Sequence, residues 1–209
     1  MNKIIIGEGD ALVAVDMQND FCHSDGALYV AGVSGEATMP EVIEKIEQLA
    51  NLDFGYLAKT FDEHPGSGHV EFGIYGPHVI EGTLGAKYVS ELAILDYLSD
   101  FDLTKGGDRN LISYSAAVSE AWGNLIGCLR SYGIRRIFVC GVAYTHCAGE
   151  TAISFAVQNV PVGDASWEVF IVRDATRSVP PPYGDPGLMA KKLVLYGVKE
   201  VSCSDLGIV

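Results

Sequence analysis

Arg136–Cys147 reads RIFVCGVAYTHC, and this stretch decides the fold. Arg136–Cys140 is a short, β-branched and aromatic run of the kind that forms a strand buried on both faces. Gly141–His146 reads as a turn, and Cys147 opens a segment to Gln158 with helical character. A strand that passes through a short turn into a helix is one step of a parallel α/β sheet. The same alternation runs outward in both directions. Ala11–Val15 is an apolar run ending at Asp16. A helix from about Pro40 to Ala50 carries Val42, Ile43, Ile46 and Leu49 at helical spacing, with Pro40 where a first turn tolerates a missing N–H. Phe54–Thr60 is the second strand and Asp100–Thr104 the third. Ser115–Tyr132 reads as one helix stopped by Gly133. Trp167–Val172 reads as a strand, Met189–Tyr196 as a last helix and Lys199–Ser202 as a last short strand. The expected architecture is a single α/β domain over residues 1–209. It is a three-layer, doubly wound, six-stranded and mostly parallel sheet with helices on both faces.

Composition narrows the function. With Lys and Arg at 14 against Asp and Glu at 27, the net charge is −13. No basic stripe is present to displace counterions from a phosphate backbone, and none to meet an anionic membrane. The expected partner is a small molecule, with neither nucleic acid nor membrane, and self-association stays open. No run of 18 uncharged apolar residues occurs, and the N-terminus has no signal-peptide pattern. Five cysteines without a C-x-x-C pair suit reduced thiols and a cytoplasmic setting.

In an open parallel sheet, ligands bind beyond the carboxyl ends of the strands. Asp16 ends the first strand, Asp62 and His64 follow the second, Lys105 ends the third, and Cys147 opens the helix after the fourth. Four segments thus deliver reactive groups to one edge. Each has a plainer reading: an Asp after a strand is often a cap, a Lys is usually solvated, and a lone Cys is usually a small core residue. Cys22, Cys128, Cys140 and Cys203 fit the last description. Cys147 differs, because the first turn of a helix favours a thiolate and a depressed thiol pKa. The loop Asp62–Gly85 is rich in glycine and holds His64, His69 and His78. A loop this long inside a compact domain is usually functional. A carboxylate with imidazoles is a divalent-metal set by chemistry, although spacing alone leaves open three surface histidines. No G-x-G-x-x-G follows the first strand, where DMQNDF stands, which argues against dinucleotide binding.

Together these motifs resemble the isochorismatase-like cysteine hydrolases, and within them the nicotinamidases. The resemblance rests on ALVAVDMQNDFC (Ala11–Cys22), Asp62-Glu63-His64-Pro65, YGPHVIEGT (Tyr75–Thr83), Lys105-Gly106, SYSAA (Ser113–Ala117) and GVAYTHC (Gly141–Cys147). It implies an amidohydrolase that converts nicotinamide, and pyrazinamide, to the acid and ammonia through a cysteine thioester. Cys147 would be the nucleophile, Asp16 the general base and Lys105 the supporting cation. A cis peptide at Val142–Ala143 would aim the N–H groups of Ala143 and Cys147 as an oxyanion hole. Asp62, His64 and His78 would bind one divalent metal, zinc foremost, with iron or manganese as alternatives. His69 stands near a fourth ligand position. Phe21, Tyr114 and Tyr144 would enclose the substrate ring. The chain departs from the family pattern at Glu63, Ile112, Tyr144 and Thr145, positions expected to line or support the pocket, so that another small amide is the alternative substrate. The alternatives are a metal-free amidase or carbamoyl hydrolase of the family, and a non-catalytic binding module on the same fold.

Overall fold

The structure, a computed structural model, describes residues 3–158 and 166–207. Strands β1 (Ile4–Ile5) and β2 (Asp10–Val15) are followed by helices α1 (Asn19–Cys22) and α2 (Met39–Ala50), then β3 (Tyr56–Asp62). Next come α3 (Phe72–Tyr75), α4 (Ile94–Leu98), β4 (Phe101–Lys105), α5 (Trp122–Ser131) and β5 (Arg136–Val142). The chain closes with α6 (Cys147–Val157), β6 (Glu168–Arg177), α7 (Pro186–Leu195), β7 (Lys199–Val201) and β8 (Leu206–Gly207). Six strands form one sheet in the order β4-β3-β2-β5-β6-β7, every pairing parallel. A separate two-stranded pair, β1 with β8, lies outside the sequence expectation.

Burial on both faces explains the continuous apolar strands. Along β2, Leu12 and Ala14 pack into one core with Met39, Val42 and Ile46 of α2. Ala11, Val13 and Val15 pack into the other with residues of α5, α6 and α7 such as Leu125, Ala152 and Leu193. Helix α2 starts where expected: Pro40 sits in its first turn, and the Thr38 N–H donates to Glu41 at 2.6 Å. Helix α7 is capped by the Asp185 side chain, which accepts from the Leu188 N–H at 3.0 Å.

Two expectations about local structure are corrected. Ser115–Tyr132 is not one helix: a 3-10 turn at Ala116–Val118 precedes α5. The hydroxyls of Ser115 and Ser119 accept from the Ala117 and Ala121 N–H groups, offering the backbone a local alternative to the helix. The strand expected to end at Val172 runs to Arg177, because a bulge shifts its register from Val139↔Ile171 to Gly141↔Thr176. No helix among the described residues is long and apolar enough to cross a membrane.

From β2 the chain adds strands on one side, β3 then β4, and then crosses to β5 on the other. The strand order therefore reverses between β2 and β5. Such a switch point opens a crevice beyond the carboxyl ends of the two strands. The close approach of β5 to β2 there requires Gly141, whose φ is +96° and where a Cβ would stand 2.2 Å from the Val15 carbonyl oxygen.

Candidate functional site

Asp16 follows β2 directly, with φ +49°, a left-handed conformation that Asp tolerates better than most residues. It is fully buried. The Thr60 hydroxyl donates to its Oδ1 at 2.5 Å, and Lys105 Nζ stands 3.2 Å from its Oδ2. Lys105, the last residue of β4, is also 3.0 Å from Asp62 Oδ2. Ligand atoms of Asp16, Asp62 and Cys147 all lie within 4.8 Å of one another. The convergence expected from strand ends is thus present in the structure.

The electrostatics of this cluster follow from burial. Removal from water raises the Asp16 pKa, and Lys105 offsets that only in part. For Lys105 burial disfavours the charge, but Asp16 and Asp62 outweigh it and hold the ammonium protonated. Cys147 corrects a sequence expectation. Burial pushes its thiol well above the ordinary value, and the nearby Lys105 only moderates this, the opposite of the depression expected of a helix start.

The turn before Cys147 has the expected cis peptide at Val142–Ala143. The Ala143 carbonyl accepts from the His146 and Ala148 N–H groups at 2.9 and 3.0 Å, pinning the turn to the start of α6. Ala143 and Cys147 both line an apolar cavity of about 70 Å³.

Asp62, His64, Glu71 and His78 form a second buried cluster, with ligand atoms all within 4.8 Å of one another. The two Nε2 atoms of His64 and His78 face each other at 3.3 Å. Their Nδ1 atoms pair with the Gly106 carbonyl at 3.0 Å and the Gly76 carbonyl at 2.7 Å. Those carbonyls require N–H on Nδ1, which leaves both Nε2 lone pairs aimed at the common centre. Burial lowers the His78 pKa, favouring the neutral imidazole a metal needs. Two carboxylates and two imidazoles in this arrangement fit a divalent cation. Gly106 (φ +84°) makes room, since a Cβ there would come within 2.3 Å of Asp62 Oδ1.

The sequence reading missed Glu71 and offered His69 instead. The structure puts the His69 ring against that of His64, centroids 4.0 Å apart, and outside the set of four. The Glu71 N–H donates to His69 Nδ1 at 3.2 Å, so His69 supports the loop that presents Glu71. The only sequence signal for Glu71 was its presence on the same glycine-rich loop.

Among the residues expected around a substrate ring, Phe21 and Tyr114 line the cavity. Tyr144 does not, a correction: it is 1% exposed, its ring lies under Arg173 and its hydroxyl bonds Glu200. Neither β-carbon direction nor packing partner is readable from its place beside Ala143. Tyr75 and His146, not singled out from sequence, complete the wall with Tyr114. The Tyr75 and Tyr114 hydroxyls bond at 2.8 Å, and His146 meets Tyr114 edge-on at 4.8 Å between centroids. Glu63, Ile112 and Thr145, expected to line or support the pocket, are likewise not among the residues lining the cavity, but Thr145 supports two that are: its hydroxyl accepts from the Val179 N–H and pairs with His146 Nδ1, both at 3.0 Å.

The chain belongs to the isochorismatase domain family, which it matches over residues 10–190. Within that family it is similar to nicotinamidases. It is 32% identical over 146 residues to a nicotinamidase/pyrazinamidase of Mycobacterium tuberculosis, covering 68% of this chain and 76% of that protein. The crystal structure of PnC1 from L. infantum in complex with nicotinate superposes with a TM-score of 0.82 at 28% identity, covering 99% of this chain and 100% of the other. A pyrazinamidase of Pyrococcus horikoshii in complex with zinc superposes with a TM-score of 0.69 at 25% identity, covering 93% and 99%.

Proposed function

We propose that the chain is a cytoplasmic, metal-bearing nicotinamidase that hydrolyses nicotinamide, and pyrazinamide, to the carboxylic acid and ammonia. One observation carries the reading: the Cys147–Asp16–Lys105 cluster and the Asp62–His64–Glu71–His78 cluster adjoin one aromatic-walled cavity. The similarity to nicotinamidases and to a nicotinate-bound structure supports it.

The chemistry assigned to the chain's own groups is as follows. The amide lies in the cavity with its ring between Phe21 and the Tyr114–His146 wall. Asp16 takes the Cys147 thiol proton as sulfur attacks the carboxamide carbon, so no free thiolate has to exist in the buried resting site. The N–H groups of Ala143 and Cys147 receive the developing oxyanion. Asp16 returns the proton to the leaving nitrogen, ammonia departs, and water hydrolyses the thioester, again with Asp16 as base. Lys105 stays charged throughout and balances Asp16 and Asp62. The four buried ligands would hold a divalent metal, zinc foremost, and when bound it supplies a Lewis-acid site for a heteroaromatic nitrogen.

The alternative of a metal-free amidase with another substrate drew on four departures from the family pattern. None of the four residues, Glu63, Ile112, Tyr144 and Thr145, lines the cavity, and Thr145 and Tyr144 act only from behind it, through bonds to the segments that carry Val179, His146 and Ala143.

The test is ammonia release from nicotinamide and pyrazinamide by the purified protein, with and without a chelator. Release from both, lost on chelation and restored by a divalent metal, is the expected result. A metal-loaded protein that releases ammonia from neither amide overturns the reading. Metal content tests the ligand set separately. Glu71→Ala and His78→Ala each lower bound metal at equilibrium dialysis by about 10-fold or more, whereas His69→Ala, which removes only a support, retains more metal than either. Full occupancy in Glu71→Ala removes that residue from the set.

A further inference from the structure

We propose that Arg173 is a positioning residue for the nucleophile turn, holding the Tyr144 ring and through it the Ala143 amide that faces the substrate oxygen. The catalytic half of this inference rests on the amidase reading above. Arg173 emerges in the β6 bulge, where the register with β5 jumps just before the turn. Bulges beside active sites commonly re-aim a side chain. Here the guanidinium carbon lies 4.0 Å from the centroid of the Tyr144 ring. Its Nη2 donates to Glu36 Oε1 and its Nη1 to the Thr176 hydroxyl at 3.3 Å.

Tyr144 is buried and held at three points. Arg173 covers its ring, its hydroxyl donates to Glu200 on β7, and its N–H donates to the Arg177 carbonyl at 2.8 Å. It directly follows Ala143, whose carbonyl accepts the first N–H groups of the helix that carries Cys147. A displaced Tyr144 ring therefore moves the Ala143 amide and the start of α6 together. On its other side Arg173 is fixed by a carboxylate that also fastens the cavity wall. Glu36 accepts from the Val33 and Ser178 N–H groups, both at 3.0 Å, and from the Ser178 hydroxyl at 2.6 Å. The neighbouring Arg177 donates to the hydroxyl of Tyr29, a cavity residue, at 3.0 Å. Arg173 thus ties the wall segment to the turn that holds the oxyanion donors. Only a planar guanidinium can lie flat on a ring while its edge bonds a carboxylate, so Lys is a poor substitute.

The test uses the metal-loaded full chain and the variants Arg173→Met, Arg173→Lys, Tyr144→Leu and the Arg173→Met/Tyr144→Leu double. With nicotinamide, kcat falls about 10²-fold in Arg173→Met, since misplacement by about an ångström has that effect on a reacting geometry. KM stays near wild type, because Phe21, Tyr114 and His146, which enclose the ring, have no bond to Arg173. Arg173→Lys falls between, and the double variant is no slower than the slower single one. Amide hydrogen exchange reads the same claim without substrate: Arg173→Met speeds exchange in peptides spanning residues 142–148 and leaves α2 unchanged. Unchanged exchange at 142–148, additive losses in the double variant, or kcat falling only with the folded fraction overturns the proposal. If exchange at 142–148 rises while the wild type hydrolyses neither amide, the positioning role stands and the amidase reading is what fails.

Discussion

Cys147→Ala abolishes ammonia release from nicotinamide, lowering the turnover rate by roughly 10⁴-fold or more, the scale seen when a nucleophile is removed from a preorganised site. The loss is chemical and not structural. Cys147 is in the first turn of α6, where Ala is a good helix former, and the change removes one sulfur from a site that already borders a cavity. The variant therefore unfolds near the wild-type temperature, keeps its metal and still binds nicotinamide by calorimetry. Because burial raises the thiol pKa, the companion variant Asp16→Asn is nearly as damaged: the sulfur then has no acceptor for its proton. Turnover near the wild-type rate in Cys147→Ala, read by ammonia release, removes the nucleophile assignment.

Lys105→Met has the second-largest effect and acts on stability as well as on rate. Lys105 is 3% exposed and holds Asp16 and Asp62 at 3.2 and 3.0 Å. Its removal leaves Asp16 buried without a counter-charge, and in the metal-free protein Asp62 as well. Breaking a buried ion pair from one side costs about 3–5 kcal/mol, because the abandoned charge cannot be rehydrated. Denaturant unfolding should read a loss of that size. The carboxylates can escape only by taking up a proton, and a protonated Asp16 cannot accept one from Cys147, so activity falls too. Adding Asp16→Asn to Lys105→Met restores part of the stability and none of the activity, since the buried charges are then closer to balance while the base is gone. A Lys105→Met protein as stable as wild type contradicts the ion-pair account.

The two variants also separate what was legible in the chain from what was not. Asp16, Lys105 and Cys147 could be placed together because each stands at the carboxyl end of a strand, and parallel sheets collect such ends on one edge. Glu71 could not. Whether Glu71 or His69 reaches the metal centre depends on the path of a 24-residue loop from Asp62 to Gly85, whose hydrogen bonds to Gly106, Gly76 and Ser113 set the approach of each ligand. No local periodicity encodes that path. Tyr144 failed for a similar reason: adjacency to Ala143 placed its backbone at the site, but the pull of Arg173 and Glu200 turned its side chain away.

What the amino-acid order determined by itself was the alternation of buried strands and one-sided helices. That patterning follows from side-chain period and burial, which are local properties. What only the tertiary structure decided was the pairing of distant loop carboxylates with imidazoles, the direction of the Tyr144 ring and the upward shift of the Cys147 thiol. Each of these depends on which atoms, far apart in sequence, exclude water from a group. The helix start at Cys147 argued for a depressed thiol pKa, and the surrounding fold, by burying the residue, pushes it up instead.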